Sequence, residues 1–218
     1  MPITRLRLVE VAFLLAVMPS PSASQAMKAN DVLLSATSPF EDMIESALAE
    51  SDSDISKTLV AADRQAGNVK TVLPASAANE FAALMEGLHG AVADKDRHEV
   101  ARRAVGVFRL LVDNLQARDL KVPKEVSLLD YAGFKVRVLA ATPSPDWQDV
   151  RRTVGEAAGW WNAIKSKVTE KGLRDAFDSL IRGFDDAARL ENLPMLRFAA
   201  QIDLDLVDLL ESDLTPKR

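Results

Sequence analysis

The chain of 218 residues is 48% hydrophobic and 27% charged, with a formal net charge of −5. This balance supports one sizeable core and argues against disorder or a membrane bundle, and its acidity excludes a general nucleic-acid binder, which needs a basic face for phosphates. There is no cysteine, so disulfides, a cysteine-linked lipid anchor, thiolate metal sites and covalent haem are excluded as well.

At the amino terminus, Arg5 and Arg7 precede an apolar run over 8–18, and Ser24-Gln25-Ala26 gives an A-x-A-like end. A basic start, an apolar core too short to span a bilayer and small residues at the end predict a secretory signal peptide over 1–26. Glu10 interrupts the run, which leaves an uncleaved anchor as the alternative. Cleavage would remove Arg5, Arg7 and Glu10, giving a periplasmic or secreted protein, slightly more acidic, with no stable membrane insertion.

Residues 27–38 are small and polar with little periodicity and are expected to form a flexible linker. A single all-helical domain is predicted over 39–214. From Pro39, apolar residues recur at spacings of three and four through Phe40, Ile44, Leu48, Ile55, Leu59, Ala62 and Val69, with a break favoured at Ser51–Asp54, whose side chains suit helix capping. Pro74 and Ser76 open the next helix, striped by Phe81, Met85, Leu88 and Val92; after a turn at Asp94–Asp96 another runs from Val100 to near Arg118.

Pro123 starts a helix whose residues Leu128, Leu129, Tyr131, Ala132, Phe134, Val136 and Val138 cover most of its circumference, the mark of the most buried helix of the fold. Pro143 and Pro145 stop it and Asp146 caps the next, striped by Trp147, Val150, Val154, Trp161 and Ile164. Lys171-Gly172 and Asn192-Leu193-Pro194 begin the last two helices. The expected fold class is therefore all-α, an antiparallel helical bundle of about six to eight helices. The alternative is a short α-solenoid of three helical hairpins, suggested by a spacing of about 48 residues between Pro74, Pro123 and Lys171.

Several polar residues interrupt apolar faces. Asp203 falls about 60° from Leu206 at the centre of the last helix's apolar face, flanked by Leu196, Ala199, Val207 and Leu210. A carboxylate there must be paired, protonated or bound to a metal; Arg109, Arg137 or a helix N-terminus would be its structural partners, and ligand binding its functional alternative. Asp130 and Arg137 lie two turns apart on the narrow polar strip of the buried helix, together with Ser127 and Gly133, and are candidate ligand-binding residues. Trp160, at the edge of its stripe, either packs under a neighbouring helix or presents an aromatic surface to a ligand or partner.

Metal chemistry has two candidate sites. Met85 and His89, one turn apart, offer a thioether and an imidazole, which suits copper or haem iron; core packing is the competing explanation. His98, beside Asp94 and Glu99, could add borderline and hard ligands, although the segment reads mainly as a capped helix start. A metal ion such as copper or iron is thus the cofactor the sequence can support.

An enzyme is the less expected class, because there is no G-x-S-x-G elbow, no cysteine, no glycine-rich phosphate loop and only two histidines. These observations point to an exported, non-enzymatic helical-bundle binding protein that holds a metal ion or small ligand between helices. The alternative is a periplasmic protein-protein interaction scaffold.

Overall fold

The computed structural model describes residues 23–216, with side chains from Lys28 onward. The predicted signal peptide over 1–26 lies outside the described residues except for 23–26. Among the described residues there are eight α-helices and no strand: α1 (Ala23–Leu48), α2 (Asp52–Val72), α3 (Ala75–Ala93), α4 (Arg97–Asp113), α5 (Lys124–Ala140), α6 (Trp147–Ile164), α7 (Lys171–Arg189) and α8 (Leu193–Leu214). The protein is an all-α helical bundle.

Two four-helix rings make up the bundle. In the first, α1 packs on α2, α2 on α3, α3 on α4, and α4 returns to α1; in the second, α5 through α8 close in the same way. The α1–α4 and α5–α8 contacts join helices far apart in sequence, so each ring closes on itself, whereas a solenoid leaves its hairpins open. Short turns set the antiparallel order. Three of these turns end their helix with a left-handed residue that is not glycine, Glu50, Lys95 or Glu191. In each, the amide after that residue closes back onto the preceding helix, as in Ser51 to Ser46, Asp96 to Ala91 and Asn192 to Ala187.

α5 joins the two rings. Its residues Leu128, Tyr131, Phe134 and Val138 enter the core of the first ring. Val126, Leu129, Ala132, Val136 and Ala140 enter the core of the second. Among the described residues no other helix has as many buried, as its apolar circumference predicts. Helix starts follow the sequence signals closely: Asp146 accepts from the amides of Gln148 and Asp149, and Asn192 from that of Met195.

Three boundaries differ from the sequence reading. The linker expected over 27–38 is helical and continuous with the rest of α1, which runs through Pro39. Leu33 and Ala36 extend the stripe of Phe40, Ile44 and Ala47 by two more turns and are almost fully buried. The packing of this stripe on α4 offsets the roughly 3 kcal/mol that an interior proline costs. α4 ends at Asp113, before the expected Arg118, and a short 3-10 turn at Ala117–Asp119 follows. At the α1–α2 break, the Ser51 hydroxyl donates to the Asp54 carboxylate and makes no backbone cap.

The former linker also carries a long-range anchor. Asn30, 2% exposed, donates through Nδ2 to the Gln116 carbonyl at 3.0 Å and accepts from the Gln116 amide at 2.8 Å. Its side chain thereby replaces a peptide partner for the strand of chain leaving α4. Asn30→Ala removes a nearly buried amide and both of its hydrogen bonds to Gln116, whose carbonyl keeps the Asp119 amide as a partner, and should cost about 1 kcal/mol, read as a lower urea midpoint with an unchanged slope. A midpoint equal to that of the parent would show that α1 is not held at this end.

Candidate functional site

The polar strip of α5 faces a cleft between α1 and α8. Two adjoining cavities occupy it, of about 330 Å³ and about 660 Å³, and both are walled by Glu41, Asp130 and Asp208. Toward one end the wall adds Glu45 and Arg137 with Gln201 and Asp205. Toward the other it adds Asp31 and Glu211, then Asp119 and Lys121 of the α4–α5 connection. Eight carboxylates thus line the cleft against two cations. The negative excess of the chain, −5 in all, is concentrated there.

Arg137 is not free to neutralise this wall. Its guanidinium makes a two-pronged ion pair with Glu45 of α1, the Nη2–Oε2 contact being 3.0 Å, and so ties α5 to α1 in a geometry that fixes orientation. Asp119 is paired with Arg118. Among the described residues, Asp130 has neither a hydrogen-bond nor an ion-pair partner. Burial pushes its carboxyl well above the ordinary carboxylate range, and Glu41, Asp208, Glu211 and Glu45 add to the effect. Glu41 is also raised, chiefly by burial and against the pull of Thr37.

Asp203 lies behind this wall. It is fully buried, and both carboxylate oxygens lack a hydrogen-bond partner. A Cβ at Gly133 of α5 would stand 2.5 Å from Asp203 Oδ2 and 2.7 Å from Leu204 Cδ2, so the missing side chain is what lets α8 bring its carboxyl against α5. Burial raises Asp203 well above its usual range and Asp130 adds to this; the Gly133 backbone pulls the other way without making a hydrogen bond of normal geometry. A buried, unpartnered carboxyl in this setting is held neutral.

The structure brings together Asp130, Arg137 and Asp203, and it places the remaining predicted residues elsewhere. Neither arginine proposed as a partner reaches Asp203: Arg137 is held by Glu45, and Arg109 pairs with Asp113 at 2.7 Å and Glu156 at 3.5 Å. Trp160 packs edge-on against Tyr131, with the Arg109 guanidinium 5.1 Å from its ring centroid, and bridges the two cores. It is not part of the cleft wall. Met85 points into the core, whereas His89 is exposed and contacts Asp63 of α2 at 2.9 Å. His98 is exposed as well, while Glu99 beside it is taken by Arg102 and Arg103, which hold its carboxyl at about 2. No group of three or more His, Asp or Glu side chains among the described residues is arranged to hold a metal ion.

Sequence reasoning missed the carboxylates of α1 and α8. Glu41 and Glu45 are four residues apart, and Asp205, Asp208 and Glu211 follow one another at three. Like charges at these spacings repel along a helix. Two such ladders on separate helices were the signal that their acidic faces could meet.

Two substitutions test this arrangement. Because Asp203 is raised, its stabilising neutral form is complete below the ordinary carboxylate range and is lost as pH climbs through the raised value. Asp203→Asn stays neutral throughout. Its melting temperature should match the parent in acid and exceed it by several degrees in alkali, with Asp130 and Glu41 supplying the residual slope; equal melting at high pH would mean that Asp203 is paired. Gly133→Ala should destabilise by about 2 kcal/mol. Part of that loss should be recovered in an Asp203→Ala background, the rest staying with Leu204, whose Cδ2 lies 2.7 Å from the added Cβ, and a double-mutant cycle measures the Asp203 share.

Compared with protein-family models, curated proteins and solved structures, the chain matches none.

Proposed function

We propose that the chain is an exported, non-enzymatic binding protein that holds a small cationic ligand in the cleft between α1, α5 and α8. The observation that carries this reading is the imbalance of the cleft wall, eight carboxylates to two cations, both of which are engaged or at the rim. A ligand cation is the partner that such a wall lacks, since unpaired carboxylates drawn together repel each other and lose solvation. Export rests on the amino-terminal sequence: basic residues, a short apolar run and a small-residue end. The non-enzymatic part of the reading rests on the sequence, which offers no G-x-S-x-G elbow, no cysteine and no glycine-rich phosphate loop.

An inorganic metal ion is the weaker ligand class, because the carboxylates are spread along the cleft and do not converge on one point. The scaffold reading draws on Phe198 and Leu209 of α8, which are 68% and 55% exposed. They are separated by three turns, about 16 Å, with Asp205 between them. Two isolated side chains fall short of the contiguous apolar patch that marks a partner surface.

Calorimetry of the folded chain at low salt with 1,4-diaminobutane and with succinate, an anion of similar length, tests the assignment. The diamine should bind and raise the melting temperature, whereas succinate should do neither. Added salt should weaken binding, and Asp130→Asn with Asp208→Asn should reduce affinity about tenfold or more without loss of helix. Affinity should also increase as pH rises above the ordinary carboxylate range, because the raised Asp130 carboxyl must ionise to meet an ammonium. Diamine and succinate binding alike, or no response to the diamine, would refute the assignment.

A further inference from the structure

Asp203 sits where α8 and α5 approach most tightly around a polar group. Both carboxylate oxygens are sealed from solvent without a partner, and Oδ2 lies 2.5 Å from where a Cβ of Gly133 would stand, which leaves no room for water on the α5 side. We propose that α8 is a pH-gated latch, held against α5 while the Asp203 carboxyl keeps its proton and released as that proton is lost. The device works without any ligand in the cleft.

A charged Asp203 has nothing to hold it in place. On α5, Arg137 is committed to Glu45 of α1, and the charged group that acts on Asp203 is Asp130, which opposes its ionisation. From α1, Glu41 and Glu45 are acidic and act in the same sense on Asp130. α7, the other main neighbour of α8, brings Leu180, Phe184 and Ala187 to the shared core, and among the described residues none of its charged side chains acts on Asp203. On α8 itself Asp205, Asp208 and Glu211 are acidic, and Arg197 donates to the Ala140 carbonyl at 2.8 Å. With neither a cation nor water at hand, the carboxylate gains solvation only when the two helices part.

The fold lets α8 part before the rest. Its main packing is on α5 and α7 alone, and the first ring closes through α1 and α4 without it. Beyond its apolar face it is tied by Arg197 to the end of α5 and by Asp213, which accepts from the Thr169 amide at 2.9 Å and the Thr169 hydroxyl at 2.8 Å. Both ties lie at its ends, away from Gly133. Releasing one helix costs less than unfolding both rings, so the proton-linked strain is relieved there first. Release uncovers Ala199, Ala200 and Val207 of α8 and Leu129, Ala132 and Val136 of α5.

Because the chain has no cysteine, one introduced thiol reports the opening. Ala200→Cys places it in the buried face of α8, and Ala104→Cys places a control in the core of the first ring; circular dichroism in acid confirms that each variant folds. Labelling rates are referenced to the same cysteine in the urea-unfolded chain at each pH, which removes the reactivity of the thiol itself. The referenced rate at Ala200→Cys should rise about tenfold per pH unit above the ordinary carboxylate range, since opening releases a proton, while that at Ala104→Cys stays flat. Adding Asp203→Asn should abolish the greater part of the rise, and adding Asp130→Asn should retain it. An equal rise at Ala104→Cys would mean that the whole chain unfolds, no rise at Ala200→Cys that the charged carboxyl is accommodated in place, and a rise that survives Asp203→Asn that another group drives it. Each of these three results overturns the latch.

Discussion

α5 is buried on two sides, and every other feature of the fold answers to that constraint. A helix whose apolar residues cover most of its circumference cannot sit on a surface, so one ring of helices must cover it from each side. Leu128, Tyr131, Phe134 and Val138 are claimed by the first ring, and Leu129, Ala132, Val136 and Ala140 by the second. What remains of α5 is the strip that runs through Ser127, Asp130 and Arg137. The two rings meet along α5, so the strip is caught in the seam between them and is shielded from full hydration.

That seam explains why the carboxyls behave differently from those elsewhere on the surface. Glu99, partly buried but bracketed by Arg102 and Arg103, whose hydrogen bonds outweigh its desolvation, is held at about 2. Asp130 and Asp203 are displaced in the opposite direction by burial and by neighbouring negative charge. The environment sets the protonation state, not the residue type. Gly133 is the local device that makes the seam close enough: without a side chain there, Asp203 and Leu204 of α8 approach the α5 backbone directly.

Much of this was legible in the sequence wherever one helix decides the outcome alone. The wheel of the last helix places Asp203 on an apolar face, and Asp203 is fully buried. The broad apolar coverage after Pro123 marks α5 as the central helix, and Asp146 and Asn192 cap the helices that their positions suggested. Legibility fails where two helices decide together. Met85 and His89 share one side of α3, but the buried face of that helix runs through Met85, Leu88 and Ala91 and leaves His89 at its edge, in solvent beside Asp63 of α2. In the segment over 27–38, the large apolar residues are few, and only the packing on α4 reveals that Leu33 and Ala36 belong to the stripe beyond Pro39.

The cleft is the extreme case of that limit, since none of its helices describes it alone. On α1 the pair Glu41 and Glu45, and on α8 the series Asp205, Asp208 and Glu211, each read as a solvated acidic face, the commonest setting for such residues. They become a site when the seam along α5 sets them opposite one another around Asp130. Each acidic ladder repels itself within its own helix and repels the other across the cleft, so the fold carries a repulsion that solvent and salt only partly screen. A bound cation lowers that repulsion in the folded state alone, because the unfolded chain does not hold the two ladders together. On the proposed reading, cation binding and fold stability are linked through the same carboxylates, and a substitution that stabilises the fold by removing one of them weakens the attraction of the cleft for a cation.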